Sequence, residues 1–504
     1  MIRIVTFLIL CGHALLAFAA AKETAPADKL APLELPVPAS ALTETSRQWL
    51  GVYLDGVKFG WGEDSTAPAV LDGKPCVESR MVLHAEVKAL GNVTKMEFTF
   101  RTCFSTEAPY RALLIEEVAN MGDQQRKVAL RHKQGTAYTA TITEAGQTRT
   151  EKVRDLDLRL SHKISPELWA ADSARKPGDK AVAVEFNSDE MKATPSTCTI
   201  LRAADWAAPG GKLAVWEVEI LDHAHQLKMT ARVSRADGAA VTATVGQIFE
   251  VREEPEKVAK RPADGEQPDV FIALSIEADK KLGSSVALTE LEIELTPPAG
   301  KDIPKLPDTV NQTVKRAADG RSLTVKVSRG KSPPRPTTTV ERSENLKATQ
   351  SYPLENVKLR ALADKAVKGA TDDREKVQKL LAFTERYMTD ALDGEALTVM
   401  DILARPRGDC SAHSLLFTAL ARAAGIPARE AYGWIYMGDE YKSFGGHAWN
   451  EVILDGHWVP VDPTWNQFQI DAGHIQQHVG DRVGPMIEGM VSGMKARVLS
   501  SKTK

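Results

Sequence analysis

Between Gly408 and Trp465 the chain places one cysteine, one histidine and one aspartate, Cys410, His447 and Asp462, in a run that also carries turn and strand signals. These three residue types can perform acyl transfer. A thiolate attacks a carbonyl carbon, an imidazole takes the thiol proton and returns it to a leaving group, and a carboxylate fixes the imidazole's tautomer and orientation. The chemistry follows only if the fold brings them together, so the elements that carry them come next.

An apolar stripe, Leu415, Leu416, Ala419, Leu420 and Ala423, starts just after Cys410 and recurs at three- and four-residue steps, which predicts a helix opened by the cysteine. Gly425 and Pro427 end it after Ala424, the glycine as a left-handed cap and the proline because it cannot continue the hydrogen bonding. Unpaired backbone N–H groups at the start of such a helix favour a negative charge, hence a thiolate. Three strands are expected after it: Arg429 to Met437, His447 to Leu454 and His457 to Asp462, the last two joined by Asp455-Gly456. Asp-Gly is a strong hairpin turn because both residues must accept positive φ. That loop sets Leu454 opposite His457, Trp449 opposite Asp462 and His447 opposite Thr464. His447 and Asp462 then become diagonal neighbours on one face, roughly 7–8 Å apart at the backbone. A slip of one residue would put them on opposite faces.

This segment resembles the transglutaminase-like superfamily. The matching residues are Gly408-Asp409-Cys410, Gly425-Ile426-Pro427-Ala428-Arg429, Gly446-His447-Ala448-Trp449, and Trp458-Val459-Pro460-Val461-Asp462-Pro463-Thr464, four blocks in order. The resemblance covers Leu354 to Gln476 and implies a papain-like α+β core with Cys410, His447 and Asp462 as the catalytic triad. It implies proteolysis, amide hydrolysis or protein cross-linking, on a protein or peptide substrate. Calcium, which animal cross-linking enzymes need, is not implied, because no acidic binding loop is recognisable, and no cofactor or metal is expected.

At 504 residues the chain is too long for one ordinary core; about 150 residues per domain suggests three. The net charge of −3 gives no reason to expect a nucleic-acid partner. The opening MIRIVTFLILCGHALLAFAA has one arginine, an apolar run and small residues around Ala17-Phe18-Ala19, a secretory signal pattern with cleavage expected near Ala19 to Ala21. A retained anchor is the alternative, and a lipid on Cys11 is disfavoured by Leu10 before it. The expected location is periplasmic or secreted, with no retained membrane span.

The expected organisation is a multi-domain chain: a signal peptide over 1–21, a flexible leader over 22–45, antiparallel β-rich domains over 46–205 and 206–340, an α+β transglutaminase-like (papain-like) domain over 350–480, and a C-terminal tail over 481–504. Strand patterns start at Trp49 to Trp61 around Asp55-Gly56 and recur to Leu323–Val327, including Val270 to Glu277. One helix is expected at Ser165 to Ala174, with Ser165 as cap and Pro166 at its first position. Polar, proline-containing passages at Glu254 to Asp269 and Lys331 to Thr339 read as linkers. Helices are expected at Leu354 to Gly369, Asp373 to Met388 and Ala396 to Ala404, with Asp372 and Glu375 as a capping pair.

Other candidates are weaker. Cys76 and Cys103 lie in one strand-rich region and can pair as a disulfide or stay free, and Cys198 reads as a small buried side chain. His223 and His225 share a strand face without further ligands at metal spacing. His413 lies one turn past Cys410, Asp471 is a substitute for Asp462, and His474 follows in the same DAGHIQ run. Trp449 and Trp465 can wall a cleft or fill a core, and Gly408 lets backbone approach a substrate. The Cys410 backbone N–H is the one oxyanion donor that can be named. Each triad residue also has a plain reading, as a core thiol, a satisfied strand histidine and a turn former. The alternative function is a non-catalytic cell-surface binding or scaffold protein with a dormant domain.

Overall fold

The computed structural model describes residues 31–504 except 90, 123, 189, 209–210, 263–268, 331–335, 350, 392–397 and 481–488. The expected signal peptide, Cys11 and the first part of the leader lie outside the described residues. The described chain divides into two compact units, 31–87 with 94–262, and 88–93 with 269–504.

The first unit is an antiparallel sheet of fourteen strands. Eight strands from Ser46–Leu54 to Gln147–Val153 pair in sequence order, as do six from Lys180–Asn187 to Phe249–Glu253, and Ser46–Leu54 pairs with Phe249–Glu253 to join the two series. Alternating burial, as in Ala112–Met121, sends one side of each strand to an apolar core that includes Leu130, Tyr138, Ile142 and Leu156, the pattern period two requires. The expected hairpin at Asp55-Gly56 forms with φ of 47° and 83° at its two turn residues.

Several boundaries differ from the sequence expectation. The division at 205/206 falls inside the strand Lys192–Ala208, whose partner Gly211–Asp222 belongs to the same sheet, so hydrogen bonding runs straight across it. Residues 31–45 are not a free leader: Leu33 donates to the Val182 carbonyl at 2.7 Å and Leu35 to Ser165 Oγ at 2.8 Å. The helix spans Leu160–Ala171 and contains Pro166; it starts earlier because the His162 ring accepts the Arg159 N–H across the first turn. Cys76 and Cys103 are free thiols, packed together against Leu114.

The second unit carries the other large sheet, in the order 312–316, 323–328, 288–296, 495–503, 276–278, 443–454, 428–436 and 474–479, with 457–461 pairing to the 450–454 end of 443–454 while 276–277 pairs to its 443–444 end. Strands before and after the helices thus share one sheet. Residues 276–328, expected in a separate β domain, belong here, and so does the expected tail: Lys495–Thr503 pairs with Leu288–Thr296 and buries Ala496 and Val498. Val270 to Glu277 is not a strand throughout. Asp269 accepts the Phe271 and Ile272 N–H groups and starts a helical turn, Val270–Ala273, before the short strand Ile276–Ala278.

Helices Val357–Ala366 and Asp373–Tyr387 pack beside helix α1, Cys410–Ala423. Their shared core includes Leu359, Val377 and Leu380 with Leu416 and Leu420 of the apolar stripe that the sequence displays. Asp372 caps its helix by accepting the Glu375 N–H. Among the described residues, no helix is long and apolar enough to cross a membrane.

Candidate active site

Helix α1 opens at Cys410 because Asp409 accepts the Ser411 and Ala412 N–H groups through Oδ1 at 2.9 and 3.3 Å. A side-chain acceptor there satisfies donors that would otherwise be orphaned. Burial pushes the Asp409 carboxyl up, against the pull of those two N–H groups and of His413 and His447. Gly408 serves packing: a Cβ on it would lie 2.4 Å from the Ala412 Cβ. At the far end Ile426 donates back to the Ala421 carbonyl and Gly425 takes φ 81°, which turns the chain into strand β1, Ala428–Tyr436.

Strand β2, Ser443–Leu454, pairs with β1 on one side and with strand β3, His457–Val461, on the other. Leu454 faces His457 across Asp455-Gly456, the register expected from the turn. Asp462 then leaves the ladder, and its backbone closes a turn with Gln467 through bonds of 2.9 and 2.8 Å. That turn, together with the diagonal, sets His447 Nε2 3.0 Å from Asp462 Oδ2.

Helix and sheet are joined behind the site by buried polar bonds. Ser414 Oγ donates to the Trp449 carbonyl at 2.8 Å, and Asn450 Nδ2 donates to the Ser414 carbonyl and to Thr418 Oγ1 at 3.1 and 2.7 Å. Trp449 and Asn450 follow His447 on β2, so these bonds fix the helix that starts at Cys410 against the strand that carries the imidazole. Cys410 lies near enough to His447 to act on its proton affinity alongside Asp462. Burial lowers the proton affinity of His447, but Asp462 and Cys410 outweigh it and carry its pKa up to about 9. Burial would raise the Asp462 carboxyl, and the two imidazoles beside it hold it far below the usual carboxylate range instead.

The second imidazole is His474, on strand β4, His474–Val479. Its Nε2 lies 3.2 Å from Asp462 Oδ2 and its Nδ1 3.1 Å from Asp471 Oδ1. Asp471 is in turn held by Ser285 Oγ at 2.9 Å, Gly473 N at 2.8 Å and Gln467 Nε2 at 3.0 Å. Asp471 therefore serves His474 and does not replace Asp462. His447, Asp462 and His474 offer polar atoms within 4.8 Å of one another, a spacing that could hold a metal ion; here those atoms are engaged in the hydrogen bonds just described. The sequence showed Asp471 and His474 three residues apart, but nothing in it placed their strand beside β1.

Trp465 stacks on His447 with centroids 4.6 Å apart and planes at 16°, and is 47 % exposed. It covers the imidazole on the solvent side, while Trp449 is fully buried in the core. His413 turns its Nδ1 to the Asp409 carbonyl at 2.8 Å and its Nε2 toward Asp390 at 3.5 Å. In the β unit Thr197 Oγ1 bonds His223 at 2.8 Å, and His225 bonds Asp222 at 2.5 Å.

Residues 360–463 match the model of the transglutaminase-like superfamily. Over 84 residues the chain is 31 % identical to human kyphoscoliosis peptidase, covering 16 % of this chain and 13 % of that protein. The chain thus spans about an eighth of the length of that relative. A crystal structure of a candidate cysteine protease from Cytophaga hutchinsonii is 15 % identical with a TM-score of 0.28, over 43 % of this chain and 90 % of that one. A beta-barrel-like protein of a domain of unknown function from Brucella abortus is 12 % identical with a TM-score of 0.29, over 42 % and 95 %.

Proposed function

We propose that the transglutaminase-like region works as a thiol acyl-transfer enzyme on peptide or carboxamide bonds, with Cys410 as nucleophile, His447 as acid and base, and Asp462 as the group that orients His447. The observation that carries this reading is one imidazole hydrogen-bonded to a buried carboxylate and influenced by the thiol at the first residue of a helix. His447 takes the Cys410 proton, the sulfur attacks the carbonyl carbon, and the tetrahedral oxyanion is met by the Cys410 backbone N–H. His447 then protonates the departing ammonia or amine, leaving a thioester. Water resolves it by hydrolysis, or a second amine by transamidation.

Asp462 accepts from His447 through Oδ2 and from the Thr464 N–H through Oδ1 at 2.8 Å. Its orientation is thereby set before substrate arrives. Trp465 keeps water from the His447–Asp462 bond, which strengthens an ionic hydrogen bond. Labelling by an electrophilic thiol probe tests the reading: Cys410 is expected to label quickly, and His447→Ala to abolish the labelling. Equal labelling of both proteins would leave the scaffold function in its place.

The N-terminal apolar run supports an extracytoplasmic location as part of the same proposal. Fractionation of cells producing the full chain would overturn that part if the protein stayed with the cytoplasm.

A further inference from the structure

We propose that His474, fixed between two carboxylates, is a positioning residue that carries a positive charge at neutral pH and sets how firmly Asp462 holds the His447 proton. This rests on the triad reading above. Each nitrogen of His474 faces a carboxylate oxygen, Asp462 Oδ2 at 3.2 Å and Asp471 Oδ1 at 3.1 Å, and the side chain is fully buried. A neutral imidazole has one donor and one bare lone pair, so one face would set a lone pair against an anionic oxygen. Protonation of both nitrogens satisfies both faces.

The alternative is a proton on one of the acids, and their other bonds oppose it. Asp471 accepts from Ser285 Oγ, Gly473 N and Gln467 Nε2, and Asp462 accepts from Thr464 N and His447. A carboxyl surrounded by donors is held as the anion. The order along the chain is therefore anion at 471, cation at 474, anion at 462, then the His447–Cys410 couple. The pKa directions agree: Asp471 is held down at about 2 and His474 pushed up to about 9, in each case against burial.

The consequence is a specific division of labour on one oxygen. Asp462 Oδ2 accepts from both imidazoles, so its charge is shared between them, and the His474 ring, 5.6 Å from that of His447, repels a proton there directly. The charged and titratable groups facing His447 are Asp462, Cys410, His474 and Asp409. With Asp462 alone, His447 would keep its proton too firmly to serve as the acid that releases a leaving group. His474 moderates that hold.

The test follows alkylation of Cys410 by iodoacetamide against pH, read by mass spectrometry at that residue in the full chain. The upper limb reports loss of the His447 proton. His474→Gln keeps a donor toward Asp462 and removes the charge, and the upper limb is expected to rise by about one pH unit, the scale of a charge a few ångströms away. Asp471→Asn, which leaves the imidazole in place, should shift it the same way by less. A limb that stays put in both folded variants, with only slower reaction, would mark His474 as structural and overturn the proposal; if His474→Gln does not fold, Asp471→Asn decides alone. Histidine ring ¹⁵N shifts give a second reading: at pH 8 the signal absent from His474→Gln, or in its absence the histidine signal perturbed in Asp471→Asn, should show both nitrogens protonated. A neutral-tautomer shift there overturns the proposal. The triad reading fails separately, if Cys410 in the unaltered protein alkylates no faster than an ordinary thiol.

Discussion

In the β-rich unit Cys76, Cys103 and Cys198 are at most 1 % exposed, while Cys410 sits half-buried at the first position of a helix. Burial is the main force on the first three: it raises the Cys76 thiol and pushes Cys103 and Cys198 up to about 12. Histidine–carboxylate pairs divide in the same way. Asp222 accepts from His225 and also caps Ala224 within one turn, whereas Asp462 is reached by imidazoles from two different strands. Residue type does not make a site. What separates the regions is a thiol at a helix start, close to an imidazole that a buried carboxylate already holds.

The sharpest way to break this contrast is to remove the members of the proposed triad. Cys410→Ala should abolish acyl transfer, and His447→Ala should lower it on the order of 10⁶-fold, measured as ammonia or peptide release from candidate substrates. Retained turnover in either protein would end the proposal. Asp462→Asn should cost about 10⁴-fold, because the amide would set an N–H donor or a single oxygen against two imidazole donors. The relevant readout is kcat in a protein whose melting curve shows it is folded. Native-state alkylation sharpens the comparison directly: Cys410 should react about 10²-fold faster than Cys76, Cys103 or Cys198, and similar rates at all four would show that their surroundings do not differ as described.

The pH dependence of stability is a smaller effect with a definite sign. His447 and His474 have folded pKa values raised to about 9 from 6.5, so their stabilisation is complete below about 6.5 and is lost as pH rises through about 9. Asp471 is lowered to about 2 from 3.8, so its contribution is complete above about 4 and is lost as pH falls through about 2. Urea unfolding of the unaltered chain should show the second unit on the order of 2 kcal/mol less stable at pH 9.5 than at pH 6; equal stability would contradict the charges assigned. Smaller still, Asn450→Ala should destabilise that unit by about 1–3 kcal/mol, since it leaves Thr418 Oγ1 and the Ser414 carbonyl without the bonds that join helix to strand. A change below a few tenths would mean another contact holds that separation.

Much of the site's local structure was legible in the chain. The stripe after Cys410 and the Gly425–Pro427 exit give a helix that ends at Ala423, and Asp455-Gly456 gives the register that sets His447 near Asp462. These are short-range effects, in which a turn's φ requirement and a helix's period appear within a few residues. The far ends of the sheet were not legible: Lys495–Thr503 is a polar-looking segment whose buried Ala496 and Val498 acquire meaning only beside Leu288–Thr296. The β-rich residues offered no boundary signal either, since pairing of Ser46–Leu54 with Phe249–Glu253 makes one sheet of what reads as two.

Residue order by itself determined which groups could react and which local elements carry them, because capping, turn chemistry and apolar periodicity act over a few positions. Tertiary structure decided what surrounds each group. His474 touches Asp462 only because β4 pairs with β1, on the opposite side of β1 from β2, and Ser285 reaches Asp471 from 186 positions away. Charge and hydrogen bonding depend on distance in space and not along the chain, so the arrangement that sets the proton affinity of His447 exists only after the sheet has closed.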